Sequence, residues 1–202
     1  MGSTQETDVK YEVMTEMIST GETISAYLSD MRATLSRLPL DKIERVVRLL
    51  REARAHKRRV FLFGNGGSAA TASHLACDLA KGTSGNGRPR LRAMALTDNM
   101  PLISAWANDT AYENIFAQQL QDHVEPGDIV IGISGSGRSP NVLNGIKAAR
   151  SAGAITVGMT GFDGGHLKDL VDICIIVPDN NIDKVEDVHL MLGHVITSCL
   201  RT

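Results

Sequence analysis

The apolar positions of the chain change their period near residue 40. From about Val9 to Leu38, the residues Met17, Gly21, Ile24, Leu28, Met31, Leu35 and Leu38 recur three and four apart with polar residues between them. That is the spacing of an amphipathic helix. Such a stripe can cover the chain's own sheet or pack on a partner subunit. Its heptad-like spacing, interrupted at Gly21, suggests a helical bundle more than a long coiled coil. Pro39 ends this helix, and Asp41 is a good N-cap for a second one from Lys42 to about Lys57. Beyond it, short apolar runs alternate with helical stretches: Arg59–Phe63, Leu91–Leu96, Asp128–Ile133, Ala154–Thr160 and Asp172–Val177. Apolar strands separated by helices predict an α/β fold, a five-stranded parallel sheet covered by helices on both faces. A last helix, about Ile182 to Leu200, closes the chain. There is no internal repeat, linker or low-complexity tract, so residues 1–202 are expected to form one domain with an N-terminal helical extension.

Three of the predicted strands run directly into polar, glycine-rich turns, GNGGSAA, SGSGRSP and TGFDGG. In open parallel sheets ligands bind beyond the carboxyl ends of the strands, where these turns converge. In Ser134-Gly135-Ser136-Gly137-Arg138-Ser139-Pro140 the glycines let the backbone turn its N–H groups inward. A helix beginning near Ser139-Pro140 adds a partial positive charge. Ser134, Ser136 and Ser139 supply hydroxyl donors, and Arg138 a charge. This is the donor cup a phosphate dianion needs. The turn Gly64-Asn65-Gly66-Gly67-Ser68-Ala69 formally matches the dinucleotide pattern G-x-G-x-x-A. The acid such a site wants about 20 residues on is displaced, because Asp98 lies more than 30 residues after Gly66. Asn65 and Ser68 suit sugar hydroxyls or phosphate oxygens better.

Composition narrows the field. A net charge of −2 gives no general attraction to nucleic acid or anionic membranes, so a bound phosphate must be held locally. No apolar run approaches the roughly 20 residues of a membrane span. The polar N-terminus has no apolar signal core and reads as a frayed start. Cys77, Cys174 and Cys199 are scattered, odd in number and without zinc-knuckle spacing. They read as free thiols in a reducing cytosol.

His74 and Asp78 stand at i and i+4 on the helix after the first loop, on one face. Alone they are an ordinary surface pair; beside a ligand crevice they could bind a metal or move protons. The last helix carries Glu186, Asp187, His189 and His194. Asp187 and His194 share a face most closely, while Glu186 and His194 lie about 12 Å apart along the axis. Spacing does not choose between the two acids.

Five blocks, FGNGGSAATASHLACDLA, WANDTAYENIF, GDIVIGISGSGRSPNV, GMTGFDGG and KVEDVHLMLGHVI, in this order, resemble the phosphoheptose (sedoheptulose 7-phosphate) isomerases of the sugar isomerase (SIS) fold. The resemblance runs from about Leu38 to the end and more loosely through the first helix. It implies a three-layer SIS-type sandwich, assembled as a cytoplasmic homotetramer with sites at subunit interfaces. It implies conversion of sedoheptulose 7-phosphate to D-glycero-D-manno-heptose 7-phosphate for cell-surface heptose synthesis. Substrate contacts would fall on Asn65, Gly66, Gly67, Ser68, Asn108, Asp109, Ser134, Gly135, Ser136, Ser139 and Glu186. A divalent metal, zinc, would be held by His74, Asp78, Glu186 and His194, so the family pattern selects Glu186 over Asp187. Asp78 would be the base and His194 the acid. The partners implied are the phosphorylated sugar and further copies of the chain, with no nucleic acid and no membrane.

Three positions depart from the family pattern. Asp78 stands where Glu is usual, Glu186 where Gln is usual, and Gly135 where the phosphate loop usually has Thr. A base misplaced by about 1 Å can cost on the order of a hundredfold in rate. Acidic and imidazole groups nevertheless stand at all four metal positions, which favours an enzyme. The alternatives are an isomerase of another sugar phosphate, or a non-catalytic SIS regulator resembling the DnaA initiator-associating protein.

Overall fold

The computed structural model describes the main chain of residues 4–84, 87 and 89–202, and their side chains from residue 19 onward. The chain forms two compact units that divide after Arg37. The first contains α1 (Thr4–Leu35), on which Ile24 and Leu28 are exposed. Met17, the first member of the predicted stripe, lies outside the described side chains. The helix stops at Leu35, short of the predicted Leu38. Leu38 precedes Pro39, whose ring disfavours helical backbone one residue ahead, and Ser36 and Arg37 close a turn on the carbonyls of Arg32 and Thr34.

The second unit opens with α2 (Leu40–Ala55). Its N-cap position is Pro39, not Asp41 as the sequence suggested, and no side chain caps it. Proline presets φ, here −76°, for helix entry. Its carbonyl takes the N–H groups of Lys42 and Ile43 at 3.0 and 3.2 Å. Asp41 sits in the first turn, where its charge complements the helix dipole.

All five predicted runs form strands: β1 (Arg59–Phe63), β2 (Arg92–Ala95), β3 (Ile129–Ile133), β4 (Ile155–Thr160) and β5 (Ile173–Ile176). The order is β2-β1-β3-β4-β5, and every neighbouring pair is parallel. Asp128 and Asp172, predicted as strand residues, instead staple strand entrances. Asp128, 2% exposed, accepts from Arg59 N, Arg59 Nε and Glu125 N at 2.8, 2.9 and 3.0 Å. Asp172 accepts from Thr156 N and Oγ1, both at 2.8 Å. Burial opposes its ionisation, but the Thr156 hydrogen bonds prevail and hold its carboxyl below the ordinary value.

The remaining helices are α3 (Gly66–Cys77), α4 (Met100–Asp109), α5 (Ile115–His123), α6 (Pro140–Ser151), α7 (Leu167–Leu170) and α8 (Ile182–Arg201). They sort into two layers: α2, α3 and α8 pack on one another, as do α4 to α7. This is the three-layer α/β sandwich. Alternation along β1 sends Phe61 and Phe63 to the second layer, among Val130, Phe116, Val142 and Ile146. Phe63 stacks on Phe116 with centroids 4.7 Å apart and planes at 23°, worth about 1 kcal/mol beyond burial. The adjacent strands β1 and β3 lead to α3 and α6 in opposite layers, so the switch point of the sheet lies between them.

Candidate functional site

The two loops at the switch point face each other. After β1, Asn65 is half-buried at the N-cap position of α3, and its amide pairs reciprocally with Asn141 at 2.8 and 2.9 Å. Ser68, 5% exposed, packs against Gly64, where a Cβ would meet Ile133 O at 2.8 Å. Gly67 lies so close to Glu186 of α8 that a Cβ there would overlap its carboxylate. Only glycine lets Glu186 reach the N-terminus of α3, where the helix dipole favours a negative charge.

After β3, Ser134 is buried and its hydroxyl meets that of Ser139 at 3.0 Å. The Arg138 N–H donates to Ser136 Oγ at 3.2 Å. Gly137 has φ +65°, and a Cβ there would run into the Gly164 carbonyl of the loop after β4. Leu167 N donates to Gly137 O at 3.0 Å, so the β4 loop forms the back wall of the serine loop. A Cβ at Gly135 would meet the tip of Ile182 of α8. The glycine at the usual threonine position is therefore matched by an apolar side chain that fills its space. Ser139 is the N-cap of α6 without a side-chain cap bond, and Pro140 follows at the first helical position. The Arg138 guanidinium turns to Asp163 at 2.7 Å and holds that carboxyl down at about 2.

A third group lies farther along α3. The helices α3 and α8 run side by side in one direction, with Gly67 beside Glu186 and Leu75 against Gly193. His74 and His194 meet there: their Nε2 atoms are 2.9 Å apart, their rings 4.9 Å centre to centre at 70°. Asp78 Oδ2 stands 3.6 Å from His74 Nε2 and 3.9 Å from His194 Nε2. Asp78 opens a π-helical turn, Asp78–Gly82, which follows α3 directly. Such turns are frequent at functional sites. The ligand atoms of His74, Asp78 and His194 lie within 4.8 Å of one another. Two imidazole nitrogens and a carboxylate are the donor set of an open divalent-metal site.

The expected four-ligand set is therefore only partly assembled. Among the described residues the group is His74, Asp78 and His194, and Glu186 is not in it. Helix geometry separates them: eight residues on α8 span about 12 Å, and the Glu186 carboxylate lies beside Gly67. Asn108 and Asp109 bond to each other at 2.9 Å at the exposed end of α4. That segment reaches the crevice through Tyr112, whose hydroxyl donates to Asn65 Oδ1 at 3.1 Å.

Sequence reasoning missed Asn141, Tyr112 and Asp163. Asn141 was visible as a polar residue directly after the serine loop. Tyr112 gave no local signal, because its partner is 47 residues away. His189, named only as one polar residue of α8, proves to be 1% exposed, and neither ring nitrogen has a hydrogen-bond partner. Burial pushes its pKa down to about 4.

The SIS-domain family model matches residues 26–161. The phosphoheptose isomerase of Sulfurimonas denitrificans is 38% identical over 157 residues, 78% of this chain and 80% of that protein. That of Aliarcobacter butzleri is 35% identical over 188 residues, 93% and 95% of the two chains. The solved phosphoheptose isomerase of Neisseria gonorrhoeae is 26% identical and superimposes with a TM-score of 0.83, covering 90% of this chain and 98% of its own. On its sheet order, its loops and these likenesses, the chain belongs to the phosphoheptose isomerase family of SIS-domain proteins.

Proposed function

We propose that this chain is an aldose–ketose isomerase converting sedoheptulose 7-phosphate to D-glycero-D-manno-heptose 7-phosphate, feeding heptose synthesis for cell-surface glycans. The observation that carries the mechanism is the convergence of His74, Asp78 and His194 from two helices, in a chain that also presents a serine cup. The phosphate is held by Ser134, Gly135, Ser136 and Ser139, through hydroxyls and the N-terminus of α6. Asn65, Gly66, Gly67, Ser68, Asn108, Asp109 and Glu186 contact the sugar chain.

Isomerisation needs a base at the carbon beside the carbonyl and an acid at the carbonyl oxygen. Asp78 takes the proton from C1 of the ketose while His194 protonates the C2 oxygen, giving the enediol. Asp78 returns its proton to C2, and His194 recovers one from the C1 hydroxyl, leaving the aldose. His74, Asp78 and His194 fit a divalent ion, zinc, with Glu186 outside that group. When bound, the ion supplies Lewis-acid polarisation of the substrate oxygens. His74 orients Asp78, and His194 is reset as the acid by the proton it takes from the C1 hydroxyl.

The protein works in the cytoplasm as a homotetramer with sites at subunit interfaces, and residues 1–202 act as one domain. Support comes from the exposed Ile24 and Leu28 of α1 and from Ile182 and Leu190 of α8, which flank Glu186 at helical spacing. Among the described residues no helix is long and apolar enough to cross a membrane. The partners are the phosphorylated sugar and the chain's own copies, with neither nucleic acid nor membrane.

The test is a proton-NMR time course with sedoheptulose 7-phosphate on metal-free protein, with and without added zinc. Appearance of the aldose establishes the reaction, and faster turnover with zinc establishes the metal's part. No aldose in either sample overturns the reading and points to another phosphosugar or to binding without turnover.

A further inference from the structure

Asn65 is oriented by a run of hydrogen bonds that starts at a main-chain donor. Val142 N–H donates to Asn141 Oδ1 at 2.9 Å. A main-chain N–H can only donate, so this bond fixes which end of the Asn141 amide is the oxygen. Asn141 is 1% exposed. Its Nδ2 donates to Asn65 Oδ1 at 2.8 Å, and Asn65 Nδ2 donates back to Asn141 Oδ1 at 2.9 Å. The second amide is thereby fixed by the first. Tyr112 OH adds another donor to Asn65 Oδ1 at 3.1 Å. That oxygen now accepts two bonds, which fills its lone pairs, while one of its two amide protons remains uncommitted. A ligand entering the crevice meets Asn65 as a donor.

We propose that Asn141 and Tyr112 are positioning residues that commit Asn65 to donate its free amide proton to an oxygen of the bound sugar phosphate. The inference rests on the isomerase reading above. Its chemistry is simple: a phosphorylated ketose presents acceptor oxygens at its carbonyl and phosphate, and a flipped Asn65 would set a carbonyl oxygen against them. The network also joins three segments to one side-chain orientation. Asn65 leaves β1, Asn141 opens α6 behind the serine loop, and Tyr112 stands three residues after Asp109.

The experiment measures kcat and KM for sedoheptulose 7-phosphate in the zinc-loaded full chain, with each substitution made in the wild type and in an Asn65→Ala background. Asn141→Asp keeps the acceptor for Val142 N–H but sets an oxygen against Asn65 Oδ1. It raises KM about tenfold, and Tyr112→Phe raises it about threefold, with kcat nearly unchanged. In the Asn65→Ala background neither substitution raises KM further, because both act through the same amide. A purely structural role would persist there. Unchanged KM for both variants in the wild type, or equal increases with and without Asn65, overturns the proposal. If Asn141→Asp does not fold, the Tyr112→Phe cycle decides alone. If the wild type gives no turnover, the isomerase reading is what has failed, and the same cycle is read from the melting shift induced by sedoheptulose 7-phosphate.

Discussion

The serine loop and the imidazole–carboxylate group are built at opposite ranges of the chain. The loop is contiguous, Ser134 to Ser139, and its donors are hydroxyls and main-chain N–H groups aimed by a strand end and a helix start. The other group joins His74 on α3 and Asp78 in the turn after it to His194, 120 residues from His74, on α8. A local site of this kind depends on backbone conformation more than on any one side chain, and at Gly135 the tip of Ile182 takes the space a Cβ would enter. A site made by two packed helices depends on their register, because one residue along α8 moves its side chain about 1.5 Å and turns it by about 100°. The difference predicts that the loop governs binding while the helix pair governs rate.

The largest expected effect tests that division. Asp78→Ala or His194→Ala should lower kcat by about 10²–10⁴-fold with KM little changed, the usual size of a lost general acid or base. Asp78→Glu should keep substantial activity, since it restores the family residue. Steady-state kinetics check both. A KM effect as large as the kcat effect would break the comparison.

Next in size is the response to acid. His189 is neutral in both states above its ordinary value of 6.5. Between that pH and about 4 the unfolded chain takes up a proton that the folded chain refuses. Stability is therefore lost as pH falls through this window, by up to about 3 kcal/mol. Urea unfolding at pH 7 and pH 4.5 should show the loss, and His189→Gln should flatten it. An unchanged slope in that variant would assign the acid sensitivity to other groups.

Gly137→Ala should then cost about 2 kcal/mol, because φ +65° and the Gly164 carbonyl both oppose a Cβ. Thermal melting measures it, and KM should rise with kcat less affected. The smallest effect is Arg138→Ala. Its ion pair with Asp163 is exposed on both sides, so KM should change only about twofold and the change should vanish at high salt. A larger, salt-resistant effect would make Arg138 a direct phosphate ligand.

Much of this was legible in the sequence. Apolar runs of five to seven residues gave the strands and period 3.6 gave the helices, because each follows from local sterics and burial. Element ends were less legible where side chains acted across the fold. Asp128, just ahead of β3, bonds to Arg59 of β1, and Pro39 displaced Asp41 as the cap through its own fixed φ. His74 and Asp78 were visible as a pair, and the family pattern added His194.

Sequence by itself determined the layers, the glycine- and serine-rich turns at the carboxyl edge of the sheet and the residue types available there, since these depend on periodicity and on short-range backbone geometry. Tertiary structure alone decided which of those residues meet. The parallel run of α3 beside α8 brings His194 to His74 and Asp78 and carries Glu186 to Gly67. The pairing of β1 with β3 brings Asn141 to Asn65, with Tyr112 completing the contact. These are contacts between residues far apart in the chain, fixed by how helices and strands pack, and no local pattern encodes that register.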